Sequence, residues 1–103
     1  MSYRVVFSPE AQEQLTDIFR FIAERSSRDV AARYTEGIVS HCESLCLFPL
    51  RGRMRDDVRP GLRIVPYKHR VMIAFHVGAE VVSIIGIFYG GQDYEFTLQG
   101  ATD

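Results

Sequence analysis

Basic side chains are concentrated between Arg51 and Arg70, and they are the groups in this chain best suited to bind an anionic partner. Seven of the twelve Lys and Arg residues of the 103-residue chain lie there, with only two carboxylates, Asp56 and Asp57. The stretch therefore carries a net charge of +5, whereas the remainder carries −6. Charge gathered in this way attracts a partner of opposite sign. It predicts a binding site, or the mouth of one, for a phosphate or an acidic surface.

The sequence gives little support for a catalytic triad, a metal site or a disulfide. His41, His69 and His76 belong to no catalytic-triad pattern and have no metal-ligand spacing. Cys42 and Cys46 are four residues apart in a helical pattern, so both side chains can point the same way. With His41 they would give a metal ion three ligands at most, without the usual short spacing. We therefore expect two small hydrophobic side chains, no disulfide, no metal and no cofactor.

Composition is that of a soluble globular domain. Hydrophobic residues make up 47 % of the chain and charged residues 24 %, which are ordinary values. No apolar run approaches the roughly 20 residues that cross a membrane. A strand-like pattern at residues 3–7 stands where a basic leader and apolar segment would be, so a cytoplasmic protein is the simplest interpretation. The length predicts a single domain over residues 1–103, with a polar tail from about residue 90.

Periodicity predicts one strand followed by an antiparallel pair of helices. Residues 3–7 are β-branched and aromatic, as in a strand. Ser8-Pro9 then has the pattern of an N-cap with proline at the first helical position, and an amphipathic helix continues to about residue 25. A second helix begins at one of two serines and is ended by Pro49. Gly37, inside it, costs about 1 kcal/mol relative to alanine, so we expect a packing reason for that glycine.

Three strand patterns follow the basic stretch, at residues 62–66, 69–77 and 80–89. The order β-α-α-β-β-β predicts an α+β fold in which the helical hairpin packs on one face of a small, mainly antiparallel four-stranded sheet. The last strand is apolar on both sides. Regular alternation assigns one set to each face: Val81, Ile85 and Ile87 on one, and Val82, Ile84 and Phe88 on the other.

Two helices can cover only one face of this sheet. The other face, shared with Arg70, Met72 and His76, then mixes exposed apolar and cationic groups, which is typical of a surface that binds a partner. The alternative is that the tail at Phe96 to Leu98 folds back and covers it. We favour the partner.

Several short segments of the sequence, in this order of elements, resemble the RelE/ParE toxin superfamily. The resemblance is to its ParE-like members. YRVVFSPEAQEQLTDIFRFIAER resembles its opening strand, cap and first helix. CESLCLFPLRGRMRDDVRPGLRIVPYKHRVMIAFHV resembles its middle, and the Arg-Pro-Gly-Leu-Arg turn is the most specific piece. IIGIFYGGQDYE stands where the family commonly has an apolar strand followed by His-Gly-x-Arg-Asp. The resemblance covers most of the chain.

The resemblance implies a toxin of a bacterial type II toxin–antitoxin system, of the kind associated with plasmid stabilisation. ParE-like members inhibit DNA gyrase by binding it. They are neutralised, in a hetero-oligomer, by a ParD-like antitoxin with an acidic C-terminal segment that folds as it binds. RelE-like members share the fold but cut mRNA on the ribosome. A member that binds its antitoxin and has lost toxicity is a further alternative.

Cleavage chemistry separates these alternatives. RNA cleavage needs a base, an acid and cations for the charge on phosphorus. By the resemblance, Arg70 matches one arginine of the nucleases and Tyr89 matches their late Tyr or His, so these two would be catalytic in a nuclease. Gly86 stands where a second arginine is expected. The missing cation favours a binding protein without catalytic residues. Tyr89 and Gln92 also replace the family's common His and Arg, which points to weaker or specialised target binding.

Candidate contact residues follow from the resemblance and the charge. The residues expected to bind the antitoxin are Arg59, Arg63, Tyr67, Arg70 and Met72. Those proposed to contact the target are Arg51, Arg53, Arg55, Tyr89 and Asp93. Exposed ion pairs with Asp56 and Asp57 would stabilise the fold by only about 0–1 kcal/mol each, and they do not explain five arginines. We expect no membrane contact and no direct nucleic-acid binding by the toxin alone.

Overall fold

A strand, a helical hairpin and a β-meander follow one another in the computed structural model, which describes residues 3–100. The elements are β1 (Arg4–Phe7), α1 (Pro9–Arg25), α2 (Arg28–Glu43), a 3₁₀ helix (Ser44–Cys46), β2 (Arg53–Met54), β3 (Arg63–Tyr67), β4 (Val71–Val77), β5 (Val81–Tyr89) and α3 (Tyr94–Gly100). This order confirms the α+β prediction. Three elements were not predicted: β2, inside the basic stretch, α3, where a tail without regular structure was expected, and the 3₁₀ helix. The second helix was expected to continue until Pro49, but α2 ends at Glu43. Residues 101–103 of that tail lie outside the described residues.

The sheet has five strands in the order β1-β5-β4-β3-β2 rather than four. β1 runs parallel to β5, and the other neighbours are antiparallel. The fifth strand arises because Arg53 and Met54 pair with Ile64 and Arg63 of β3. The sheet is therefore mainly antiparallel, as predicted, with one additional short edge strand.

Both helices of the hairpin begin at serine caps: Ser8, as predicted, and Ser27, one of the two serines expected for the second helix. Ser8 Oγ accepts from the Ala11 amide at 3.0 Å, and Ser27 Oγ accepts from the Val30 amide at 3.1 Å. Each bond satisfies a backbone donor that the first turn of a helix leaves free. The hairpin packs on one face of the sheet and forms the first core: Ala11, Ile18, Ile38, Cys42, Leu45, Val65, Val71, Ile73, Phe75, Val82, Ile84 and Ile87.

A bulge in β5 reverses its alternation part-way along. Ala74 of β4 pairs with Gly86, but its neighbour Phe75 pairs with Ile84, so Ile85 is an extra residue on β5. Ile84 and Ile87 therefore both face the helices, whereas Ile85 faces the other side. The predicted grouping of Ile85 with Ile87 is wrong because it assumed an unbroken two-residue period.

The second face of the sheet is covered by the chain itself. Leu98 of α3 is 6 % exposed and packs with Val58, Leu62, Ile64, Ala74 and Phe88. The prediction of an uncovered face for a partner is therefore wrong, and the alternative of a folded-back tail is correct. Only part of the tail is buried, since Phe96 is 71 % exposed.

Gly37 has the packing reason that its position in α2 predicted. A Cβ at this residue would collide with the hydroxyl group of Tyr67, which reaches α2 from β3. The Tyr67 ring lies edge-on to Tyr34 at 5.9 Å and beside His41 at 5.3 Å between ring centres. The glycine therefore lets β3 and α2 approach each other through the tyrosine side chain.

Gly37→Ala should destabilise the fold by about 1–3 kcal/mol, since the overlap with Tyr67 outweighs the gain of about 1 kcal/mol in helix propensity. Tyr67→Phe removes the hydroxyl group, so the double variant should recover most of the loss. Urea unfolding of the four proteins measures this cycle. Gly78→Ala is a matched control, because its Cβ would lie 3.5 Å from the nearest atom. A Gly37→Ala protein as stable as the parent would contradict this packing.

Candidate protein-binding surfaces

Arg55 is an internal anchor rather than a free cation. Its Nε and Nη2 atoms donate to the two carboxylate oxygens of Asp57 at 2.9 and 2.8 Å. Nη2 also lies 2.8 Å from Glu95 Oε2, and Nη1 donates to the Tyr94 hydroxyl at 2.7 Å. The hydrogen bonds from Arg55 lower the pKa of Asp57 below its ordinary value. Arg55 therefore ties the basic loop to the first turn of α3.

Two more of the candidate residues also hold α3 in place. Arg59 Nη2 donates to the carbonyl of Leu98 at 3.0 Å. Asp93 Oδ1 accepts from the amide of Phe96 at 3.0 Å, which is the geometry of an N-cap. Asp93 followed by Glu95 is a recognised start signal for a helix, so this element could have been found from the sequence.

A second group of cations surrounds an exposed apolar surface after α2. The exposed fractions are 65 % for Leu47, 57 % for Phe48 and 66 % for Leu50. Arg63 Nη1 donates to the Leu50 carbonyl at 2.8 Å, and the Arg51 guanidinium carbon lies 5.2 Å from the centre of the Phe48 ring. We refer to Leu47, Phe48, Leu50 and Arg51 as the Phe48 patch. Phe48, Leu50 and Arg51 of this patch line an open groove of about 470 Å³.

The arginines near this patch lack acidic partners. Arg51 donates to the Ser44 hydroxyl at 3.3 Å, and Arg53 is exposed on the short strand β2. Within residues 3–100, no carboxylate lies within ion-pair distance of Arg51, Arg53 or Arg63. Such cations beside exposed apolar side chains are typical of a protein-binding surface.

Arg70 and Tyr89 meet at a different groove, of about 380 Å³, between α1 and the end of β5. We refer to it as the Arg70 groove. Its lining residues are Gln14, Asp17, Ile18, Phe21, Arg70, Tyr89, Gly90 and Gln92. Arg70 lies in the turn before β4, where its carbonyl accepts from the Gly90 amide at 2.7 Å. The Tyr89 ring lies edge-on to Phe21, with ring centres 5.5 Å apart.

The five residues predicted to bind one partner do not form one cluster. Arg59 is bonded to α3, and Arg63 lies by the Phe48 patch. Tyr67 packs against the first core, under the helices, and Met72 packs against the second. Met72 and Arg70 do share a surface, a smaller groove of about 240 Å³.

The Phe48 patch and the Arg70 groove lie at opposite ends of β5. Tyr3, which lines the groove beside Phe48, also lines a pocket with Val81 at the start of the strand. Tyr89, at the other end, lines the Arg70 groove. The nine residues of β5 span about 25 Å at the usual rise. The two surfaces are therefore far enough apart to contact different parts of a partner.

An aromatic ring occupies the space where a second nuclease cation was expected. A Cβ on Gly86 would lie 2.5 Å from Cε2 of Phe88. The Phe88 ring is 4 % exposed and belongs to the second core, beneath α3. This part of β5 therefore presents a buried apolar ring and no ionisable side chain.

Burial changes the ionisation of one cysteine and two histidines. Burial raises the pKa of the Cys42 thiol to about 12, so this side chain stays protonated. Burial, and then the charge of Arg51, lowers the pKa of His41, and burial with Arg59 does the same for His76. Within residues 3–100, no three His, Cys, Asp or Glu side chains are grouped closely enough to hold a metal ion. None of the helices described in that range is long and apolar enough to span a membrane.

The fold is that of a toxin–antitoxin protein chain of known structure. A chain titled "Chromosomal ParDE TA system from P. aeruginosa" superposes with a TM-score of 0.76, covering 86 % of this chain and 97 % of that one. Its sequence identity is 18 %, so the likeness concerns the fold alone.

Sequence comparison gives the family. A model described as "ParE toxin of type II toxin-antitoxin system, parDE" matches residues 5–94. Toxin ParE3 of Caulobacter vibrioides is 32 % identical, over 84 % of this chain and 86 % of that protein. Toxin ParE1 of Mycobacterium tuberculosis H37Rv is 24 % identical, over 95 % of this chain and 100 % of that protein. The chain belongs to the ParE toxin family of type II toxin–antitoxin systems, as the resemblance of its sequence segments implied.

Leu98→Ala should loosen α3 and cost about 2–4 kcal/mol, because it removes a buried side chain from the second core. Exposed apolar surface beneath the helix should then bind the dye ANS. Phe96→Ala removes a larger side chain from the exposed side of the same helix and should change stability by less than about 0.5 kcal/mol. Thermal unfolding and ANS fluorescence compare the two variants. Equal effects would contradict the packing of α3 described above.

Proposed function

We propose that this chain is a toxin that inhibits DNA gyrase by binding it, and that a ParD-like antitoxin neutralises it in a hetero-oligomer. Membership of the ParE family supports the toxin role. Unpaired arginines at two separate surfaces support binding to acidic partners, among them the acidic C-terminal segment expected of the antitoxin. Toxin and antitoxin then act in the cytoplasm, where gyrase works.

The packing of the Phe88 ring against Gly86 is the main observation that supports inhibition by binding rather than by RNA cleavage. Cleavage of RNA requires several charged groups around one phosphate, and removing one such group typically costs orders of magnitude in rate. Arg70 and Tyr89 share a groove, but the neighbouring space on β5 belongs to a packed apolar core. This arrangement supports an inhibitor over a ribosome-dependent nuclease.

We assign the gyrase contact to the Phe48 patch together with Arg53. Its apolar side chains are more than half exposed, and the nearby cations lack carboxylate partners within residues 3–100. Apolar anchors beside arginine are common at the centres of protein interfaces. Arg55 and Asp93, which were also expected at the target surface, would act indirectly by holding α3.

Purified protein should block gyrase supercoiling or accumulate cleaved gyrase–DNA complexes, and it should leave mRNA intact in a translating extract. The double variant Arg51→Gln/Arg53→Gln should require at least tenfold more protein for the same inhibition, because two interface charges are lost. Arg4→Gln/Arg33→Gln removes two other exposed arginines and is the matched control.

Phe75→Asp, which places a charge at a fully buried side chain, provides an unfolded negative control. Messenger RNA cleavage by the folded protein would instead establish the nuclease alternative. A protein that affects neither gyrase nor mRNA, and does not arrest growth, would indicate a member that has lost toxicity.

A further inference from the structure

The last part of β5 extends beyond its parallel neighbour. β1 pairs with β5 only as far as Ile84, so the edge from residue 85 to residue 89 has no strand beside it within the described part of the chain. Two backbone donors on this edge are bonded by side chains instead. Ile87 N donates to Gln14 Oε1 at 2.7 Å, and Tyr89 N donates to Gln92 Oε1 at 2.9 Å. An open strand edge is thus capped by two glutamines.

This capping determines what the glutamines offer to a ligand. A backbone N–H must meet an acceptor, so each amide oxygen faces β5 and each amide NH₂ is left over as a donor. Both glutamines line the Arg70 groove. The groove therefore combines two amide donors with the guanidinium of Arg70 and the hydroxyl of Tyr89.

Acceptors are scarce in the same groove. Its carboxylate, Asp17, lies 3.5 Å from Arg20 on the surface of α1. The apolar wall is formed by Ile18, which is buried, and Phe21, which is 40 % exposed. A carboxylate ligand has only acceptors and pairs best with a guanidinium, so it matches the donors, while an apolar side chain matches the wall.

A nucleic acid fits this surface less well than a peptide. Arg70 is the one arginine among the residues that line the groove, and Asp17 would repel a chain that carries a phosphate at every nucleotide. Glu10, Glu13 and Asp17 make the exposed side of α1 acidic. One carboxylate placed on Arg70, with an apolar side chain beside it, avoids this repulsion.

We propose that the Arg70 groove binds an extended segment of a protein partner that presents a single carboxylate to Arg70 and one apolar side chain to Phe21. The amides of Gln14 and Gln92 hydrogen-bond the segment's carbonyl or carboxylate oxygens. This inference rests on the proposed function in taking the partner to be the antitoxin. It places the antitoxin segment at the opposite end of β5 from the Phe48 patch.

The test uses the full chain and its ParD-like antitoxin, with affinity measured by calorimetry. Arg70→Gln should weaken binding at least tenfold, because it removes a charge-assisted pair. Tyr89→Phe should weaken it a few-fold. Arg33→Gln, an exposed arginine on α2, is the control and should bind like the parent. Each variant's melting temperature shows that it is folded.

A charge exchange identifies the contact. Arg70→Glu should abolish measurable binding, and replacing one Glu or Asp of the antitoxin's C-terminal segment by Arg should restore it. Side-chain NMR signals of the Arg70 guanidinium and of the Gln14 and Gln92 amides should shift when the parent antitoxin is added. No shift at these three side chains, or no loss of affinity in Arg70→Gln, would overturn the inference.

The outcomes separate the inference from the proposed function. Parent antitoxin that binds the parent chain and Arg70→Gln equally well overturns the inference and leaves the toxin role intact. Binding that depends on Arg70, from a chain without effect on gyrase, supports the inference and contradicts the gyrase proposal. Failure of the parent chain to bind the antitoxin overturns both.

Discussion

The structure depends on burying both faces of one strand. β5 is an interior strand of the sheet, between β1 and β4, and the bulge at Ile85 directs apolar side chains to both sides of it. The helical hairpin covers one side, so the other must be covered by the basic loop and α3. Hydrophobic burial at Leu98 and Phe88 drives this closure, and the hydrogen bonds of Arg55 give it a fixed geometry.

This closure divides the basic stretch into two functional classes. Arg55 and Arg59 hold α3, so their charges serve the fold. Arg53 and Arg70 are exposed and have no acidic partner among the described residues, so they remain available to bind. The net charge of the whole stretch therefore overstates the positive charge that is available to a binding partner. Arg53 and Arg70 lie at separate surfaces, which suits a toxin that must contact a target and also be neutralised.

Local patterns predicted what depends on neighbouring residues in the chain. The order of elements, the cap at Ser8, a serine cap at Ser26 or Ser27 and a packing role for Gly37 could all be inferred, because propensity and periodicity control them. The bulge at Ile85 could not, since strand alternation contains no sign of one inserted residue. The partners of the arginines also escaped prediction, because an ion pair between residues 55 and 95 depends on how the sheet closes. The capping role of Gln14 was missed because it lies on the polar side of an amphipathic helix.

Exchange of the arginine Nε–H protons, measured by NMR, tests this division of the basic stretch most directly. The Arg55 Nε–H donates to Asp57, and the Arg55 side chain is 17 % exposed, so exchange of this proton with water should be at least about tenfold slower than that of Arg53 or Arg70. That result would show that one arginine of the stretch serves the fold while the others remain free to bind. Equal, fast exchange at all three side chains would instead show a uniformly solvated loop and contradict the account.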